Sequence, residues 1–259
     1  MAGKKAIAVV AGVGPGTGSS IARKFGQHYP VIVLARNPAN YNEVVETINS
    51  SGGHAIGLST DVSDATAVSN AFTKITTELF PGSPIAAAIF NSGGGFVRKP
   101  FLELTTEEFE KGWEGQVKAA FLFSQAVLPL LLQGVEEKSE FPPSLIFTGT
   151  FPPPPLNPQL GATGSVRGSA NFSVFASAKF GLRALSQSLA REFGPKGVHV
   201  AHVIVDGVID IPRTKGYVFE HEDAKLSPDA IADSYWFLHT QPRTTFAYEL
   251  DLRPYVEKW

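Results

Sequence analysis

The sequence predicts an α/β fold, a doubly wound sheet of parallel strands, from three observations. Short apolar runs alternate with longer helical patterns along all 259 residues. Those runs are nearly continuous Val, Ile and Ala, the composition of strands covered on both faces. No Ser/Gly linker or charge run divides the chain, so residues 1–259 read as a single domain. Strand and helix in alternation imply right-handed crossovers, which place helices on both sides of the sheet.

The first strand is residues 6–11, ended at once by glycines. A helix over 19–28 follows, with Ile21, Ala22 and Phe25 on one side. Strands at 31–35, 55–58 and 85–90 are separated by helices at 41–51 and 65–79. A long helix spans 105–133, and its stretch 121–132 is apolar almost all round. The fifth strand, 144–148, runs toward Pro152-Pro153-Pro154-Pro155, read as a rigid insertion near 151–164 rather than as bait for a proline-binding module. A helix over 170–193 carries Phe180, Leu182, Leu185 and Leu189 as an apolar stripe. The sixth strand (198–205), a helix at 228–239 and a seventh strand at 245–252 complete the pattern. The two most apolar helices read first as covers for the sheet and second as a subunit interface.

Composition removes several functions. Lys plus Arg is 22 against 24 for Asp plus Glu, a net charge of −2, so neither nucleic acid nor a membrane is expected as a partner. The chain has no cysteine, which excludes disulfides, zinc-thiolate sites, iron–sulfur clusters and cysteine nucleophiles. No metal is expected, because the six histidines lack ligand spacing; His199 and His202, three apart on a strand, point to opposite faces. No Gly-x-Ser-x-Gly elbow suggests a hydrolase. Glu107/Glu108 and Glu136/Glu137 read as solvated charges. The first apolar run is too short for a signal peptide or membrane helix, so a soluble cytoplasmic protein is the expectation.

The first strand opens into Gly12-Val13-Gly14-Pro15-Gly16-Thr17-Gly18 and then a helix. Glycines there permit positive φ and let backbone N–H groups approach a pyrophosphate at a helix N-terminus. Arg36 ends the second strand, 18 positions after Gly18 (36 − 18). An acid at that place suits the ribose hydroxyls of NAD, whereas an Arg suits the 2′-phosphate of NADP.

Gly12-x-x-x-Gly16-x-Gly18 is similar to the glycine turn of the short-chain dehydrogenases/reductases. Asp61-Val62 resembles the adenine-contacting Asp-Val of that family, and Asn91-Ser92-Gly93-Gly94 resembles its Asn-Asn-Ala-Gly. Phe175-Ala-Ser-Ala-Lys179 falls where the family has Tyr-x-x-x-Lys, and 191–198 leads into the sixth strand as it does there. The resemblance covers essentially the whole chain. It implies a Rossmann-type seven-stranded parallel sheet and oxidoreduction of a small-molecule substrate with NADP(H), given Arg36. It further implies a homodimer or homotetramer built on helices 105–133 and 170–193. The cofactor-binding residues implied are Gly12, Gly14, Gly16, Thr17, Gly18, Arg36, Asp61, Val62, Asn91, Ser92, Gly93, Lys179, Gly207 and Ile209.

The implied catalytic set departs from the family's Asn, Ser, Tyr and Lys. Lys179 is retained, with the family role of holding the nicotinamide ribose, but Phe175 has no proton to give. Gln116 stands for the Asn, and Thr150 for the Ser; a different gapping puts Thr163 or Ser165 there. After the sixth strand, Asp206 replaces the family's Pro and Ile211 its Thr. Three readings stay open: another group donates the proton, the substrate needs none (an iminium or a conjugated acceptor), or the protein binds cofactor without redox chemistry. Tyr217, in a substrate-loop region near 211–226, is a conceivable donor, though a loop Tyr lining the pocket is the favoured reading.

Overall fold

The computed structural model describes residues 5–94, 96–150 and 165–256, with Thr150 described by its backbone. The strands are β1 (Ile7–Ala11), β2 (Val31–Ala35), β3 (Ala55–Ser59), β4 (Ile85–Phe90), β5 (Ser144–Thr150), β6 (His199–Val205) and β7 (Glu249–Leu252). The α-helices are α1 (Thr17–Gly26), α2 (Asn42–Ser50), α3 (Ala65–Lys74), α4 (Thr106–Trp113), α5 (Ala119–Glu136), α6 (Ser173–Phe193) and α7 (Pro228–His239). The sheet order is β3-β2-β1-β4-β5-β6-β7, and every pairing is parallel. The expected doubly wound sheet is therefore present. Because the order reverses between β1 and β4, a crevice opens beyond their carboxyl ends, the usual ligand position in such sheets.

The near-continuous apolar strands are buried on both faces. On one side Phe90, Phe147 and Ile85 pack with Phe72 of α3 and Phe123, Val127 and Leu131 of α5. On the other, Val10, Val33 and Val203 meet Phe25 of α1, Ile48 of α2 and Tyr235 of α7. The run from α4 to α5 is long and apolar enough to cross a membrane, yet Ala119, Phe123, Val127 and Leu131 lie in this core. Phe121 and Phe180, 47% and 42% exposed, face away from it.

Several boundaries differ from the sequence expectation. The helix expected over 105–133 is interrupted by a five-residue π-turn, Glu114–Lys118, and that expected over 65–79 ends in another, Ile75–Leu79. Such turns spread one extra residue into the helix and re-aim its side chains. The last strand begins at Glu249 instead of 245, because Thr245 donates to the Pro242 carbonyl in a turn (2.9 Å). The helix expected from 170 begins at Ser173. Glu108 is more than a solvated charge: it closes a capping box with Thr105 at the start of α4 and pairs with Lys99. The segment 151–158 lies outside the described residues.

Three of the six histidines, His199, His202 and His239, are buried. His239 of α7 bridges Tyr29 Oη (2.9 Å) and Ser144 Oγ (2.8 Å). His199 stacks on Phe246 at 4.2 Å, while His202 reaches Glu249 from the opposite sheet face. Among the described residues no three His, Cys, Asp or Glu are grouped to hold a metal. Burial pulls His239 down to about 3 and His202 to about 4, and it lowers His199 as well. In the unfolded chain each would titrate near 6.5, so on acidification the unfolded state takes up protons first. Stability is therefore lost as pH falls below 6.5, by up to about 1.4 kcal/mol per pH unit for each histidine still neutral in the fold. Urea unfolding at pH 7.5, 6.5 and 5 should show a loss of at most about 1 kcal/mol over the first step and of about 3 kcal/mol or more over the second. Equal stabilities at pH 6.5 and 5 would contradict the buried-neutral assignment.

Candidate active site

The glycine turn after β1 is pressed against the loop after β4. Asn91 donates from its backbone to the Ala11 carbonyl (2.9 Å) and from Nδ2 to the Gly12 carbonyl (3.0 Å). Gly12 has φ +82°, and a Cβ there would sit 2.4 Å from the Ser92 nitrogen. A Cβ on Gly18 would lie 2.7 Å from the Gly12 oxygen and 2.9 Å from Val13 Cα, so α1 packs this close only because residue 18 has no side chain. Gly16 (φ +138°) lies beneath Ile211, whose Cγ2 would be 2.6 Å from a Cβ. Gly14 and Gly93 have open space where a Cβ would be, so packing does not require glycine at either.

At the start of α1, the Thr17 hydroxyl is buried and has no hydrogen-bond partner. It lies where free helix N–H groups and their dipole favour an anion. Beside the turn is a depression of about 260 Å³ lined by Gly12, Arg36, Asp61, Val62, Asn91 and the 92–94 loop. Ser63 donates to Asp61 from Oγ (2.6 Å) and from its backbone (3.0 Å) and holds that carboxyl below its usual range; Arg36 adds to the effect. A side-chain-free cradle, an orphaned hydroxyl and a cation at the rim fit a phosphate-bearing dinucleotide.

The second half of the site is on α6. Lys179 is 1% exposed, and its Nζ has one weak contact, to the Thr148 carbonyl at 3.4 Å. The Phe175 ring, one turn earlier, has its centroid 5.7 Å from that Nζ. Phe175 is itself buried and stands edge-on to Phe96 at 5.7 Å. Burial pulls the Lys179 amine down to about 8. Gln116 is turned inward by the π-turn: Nε2 donates to the Gly94 carbonyl (3.2 Å), whereas the buried Oε1 has no partner. Gly94 and Gly115 meet backbone to backbone there, which joins the Gln116 turn to the loop after β4. Of the three hydroxyl candidates, Ser165 is buried with an unpartnered Oγ. The side chain of Thr150, and all of Thr163, lie outside the described residues.

After β6, Gly207 runs under Pro254, whose Cδ would be 2.6 Å from a Cβ, and Ile209 pairs with Leu226. Sequence reading missed what holds this segment: Asp206 is buried and ion-paired with Arg253, which also binds Asp251 (2.9 Å). An acid at the end of an apolar strand was the available signal, because a buried carboxylate requires a cation. Also unforeseen were the Thr148–Tyr235 hydroxyl pair (2.7 Å) and the bidentate grip of Arg183 on Glu249 (2.6 and 2.7 Å). Tyr217 lines a separate cavity of about 420 Å³ with Asp210, Phe219 and Lys225.

The family model for short chain dehydrogenase matches residues 6–139. An uncharacterized oxidoreductase of Staphylococcus epidermidis is 29% identical over 252 residues, covering 97% of this chain and 98% of that protein. The crystal structure of a short-chain dehydrogenase from Rhodopseudomonas palustris is similar at 32% identity and TM-score 0.72, over 96% of this chain and 99% of that one. A metagenomic short-chain oxidoreductase in complex with NADP shares the fold at TM-score 0.76 and 24% identity, over 97% of each chain.

Because the Gly18 contact is with backbone atoms that have little room to yield, Gly18→Ala should lower stability by about 1–3 kcal/mol. Urea unfolding of the two proteins checks this, and an unchanged midpoint would mean that the turn relaxes without cost.

Proposed function

The chain belongs to the short-chain dehydrogenase family, and from that premise we propose an NADP(H)-dependent oxidoreductase acting on an organic carbonyl, imine or conjugated acceptor. NADPH supplies the hydride when bound. The observation that carries the cofactor choice is Arg36 at the end of β2, exposed on the rim of the depression that the glycine turn and Asp61 line. A guanidinium there meets a 2′-phosphate with charge-assisted hydrogen bonds, whereas a ribose hydroxyl offers it little.

The remaining roles follow the same assignment. Thr17 and the start of α1 receive the pyrophosphate, Asp61 and Val62 flank the adenine, and the loop over Asn91, Ser92 and Gly93 bounds the sugar. Lys179 holds the nicotinamide ribose, and the backbone at Gly207 and Ile209 meets the carboxamide. Phe175 takes the place of the family's phenol, so the site offers an apolar wall of Phe96, Phe172 and Phe175 instead of a hydroxyl. A general acid contributes roughly 10²–10⁴-fold, so its replacement favours acceptors that are already activated. Phe121 and Phe180, exposed on α5 and α6, support association of copies through those helices in a cytoplasmic homodimer or homotetramer.

Titration with both cofactors should show NADPH binding at least about tenfold more tightly than NADH, a difference of roughly 1.4 kcal/mol. Arg36→Ala should erase most of that preference. Equal affinities in the unsubstituted protein would sink the cofactor assignment. NADPH oxidation with a panel of quinones, ketones and imines tests the reaction: binding without turnover of any of them would favour a redox-inactive binding protein.

A further inference from the structure

The missing phenol leaves a reduction at this site without an evident source for the proton on the product oxygen. Lys179 is the one buried lysine among the described residues. Among the described residues no carboxylate pairs with it. Arg183, one turn along α6, takes both oxygens of Glu249. His202 of β6 takes the same carboxylate through Nδ1 at 3.1 Å. Glu249 is therefore committed on the α6 side of the sheet, and β5 (Ser144–Thr150) carries no acidic residue. Among the described residues the Lys179 amine meets the Thr148 carbonyl at 3.4 Å and the outer reach of the Phe175 ring.

Other donors fit less well. His202 is pulled down to about 4 by burial, so near neutral pH it has no spare proton. Gly149 leaves room for that ring, since a Cβ would lie 2.6 Å from Nε2, but the imidazole is enclosed behind the strand. Tyr217 belongs to a separate cavity, and a serine hydroxyl is a weak acid beside an ammonium.

We propose that Lys179 is itself the proton donor of this enzyme, delivering a proton from its ammonium directly to the substrate oxygen. The inference rests on the oxidoreductase reading above. In the balanced step, the carbonyl carbon gains the hydride as its C=O π bond breaks. The oxygen takes a proton from Nζ, leaving an alcohol, the oxidised cofactor and a neutral amine. Solvent then restores the proton to the amine. An acid works best when its pKa lies near the working pH, and a buried amine without a carboxylate partner meets that condition. An ion-paired lysine would hold its proton too tightly. His202 on β6 is the titratable group that feels this amine, and it also feels Arg183 of α6 and Glu249 of β7.

The test combines a titration with kinetics at saturating NADPH, where a ribose-holding role does not register. In protein labelled with ¹³Cε-lysine, with the Lys179 signal assigned by its absence from Lys179→Arg, the resonance of the free protein should titrate near pH 8. A midpoint near the ordinary lysine value, with turnover intact, overturns the proposal alone. For an activated ketone, kcat should be level below about pH 8 and fall about tenfold per unit above it. Lys179→Ala should lose at least about 100-fold in kcat. Added methylamine, ethylamine and cyanomethylamine should restore part of it, with rates that depend on the pKa of the amine. Rescue independent of amine pKa would show that the lysine only fills space or carries charge, and would overturn the proposal. Turnover of imines but of no carbonyl overturns this inference alone; turnover of no quinone, ketone or imine brings down the oxidoreductase reading, and this inference falls with it.

Discussion

The working edge of the molecule depends on one steric constraint: between the end of β1 and the loop after β4 there is no room for a side chain. Gly12 meets the Ser92 backbone, Gly18 meets the Gly12 carbonyl, and Asn91 donates across the seam. The seam lies where the strand order reverses, so it joins the two halves of the sheet and also shapes the crevice between them. Because α1 can come this close, its first turn, with the buried Thr17 hydroxyl that has no hydrogen-bond partner among the described residues, packs directly behind the seam. The Gln116 π-turn then rests on the far side of the same loop through Gly94 and Gly115. Packing of the two sheet halves and the shape of the crevice share these few atoms.

Around that seam the protein buries charge unevenly. Asp206 receives Arg253, and Glu249 receives both Arg183 and His202. Among the described residues Lys179 receives no carboxylate, and the fall of its amine from 10.5 to about 8 means that protonating it within the fold costs roughly 3 kcal/mol more than in water. Evenly matched pairs would be more stable.

What could be read from the residue pattern was whatever is local. The strands are runs of Val, Ile and Ala, and the glycine turn, Arg36 and Asp61 follow at the spacing that parallel crossovers impose. The expectation that Phe175 and Lys179 share one helix was likewise local, and both lie on α6. What escaped was non-local or a small departure from regularity. Asp206 and Arg253 are separated by the α7 unit, and Tyr29, Ser144 and His239 come from three distant parts of the chain. No periodicity announces such meetings, since each partner in isolation looks like a misplaced polar residue. The π-turn at Glu114–Lys118 was hidden for another reason: its composition is ordinary helix, and only the contact of Gly115 with Gly94 makes the wider turn favourable.

That π-turn constrains how this chain tolerates changes of length. The turn holds one residue more than regular helix needs, so removing one residue between 114 and 118 would close it into α-helix and leave both flanks in their present phase. Phe123, Val127 and Leu131 would stay on the sheet, and what would be lost is the inward set of Gln116 against the Gly94 loop. A second deletion would turn the flanks by about 100° and bring Phe121 inward. The chain can therefore shorten by one residue here at the expense of the site alone, whereas a loss of two would disrupt the core.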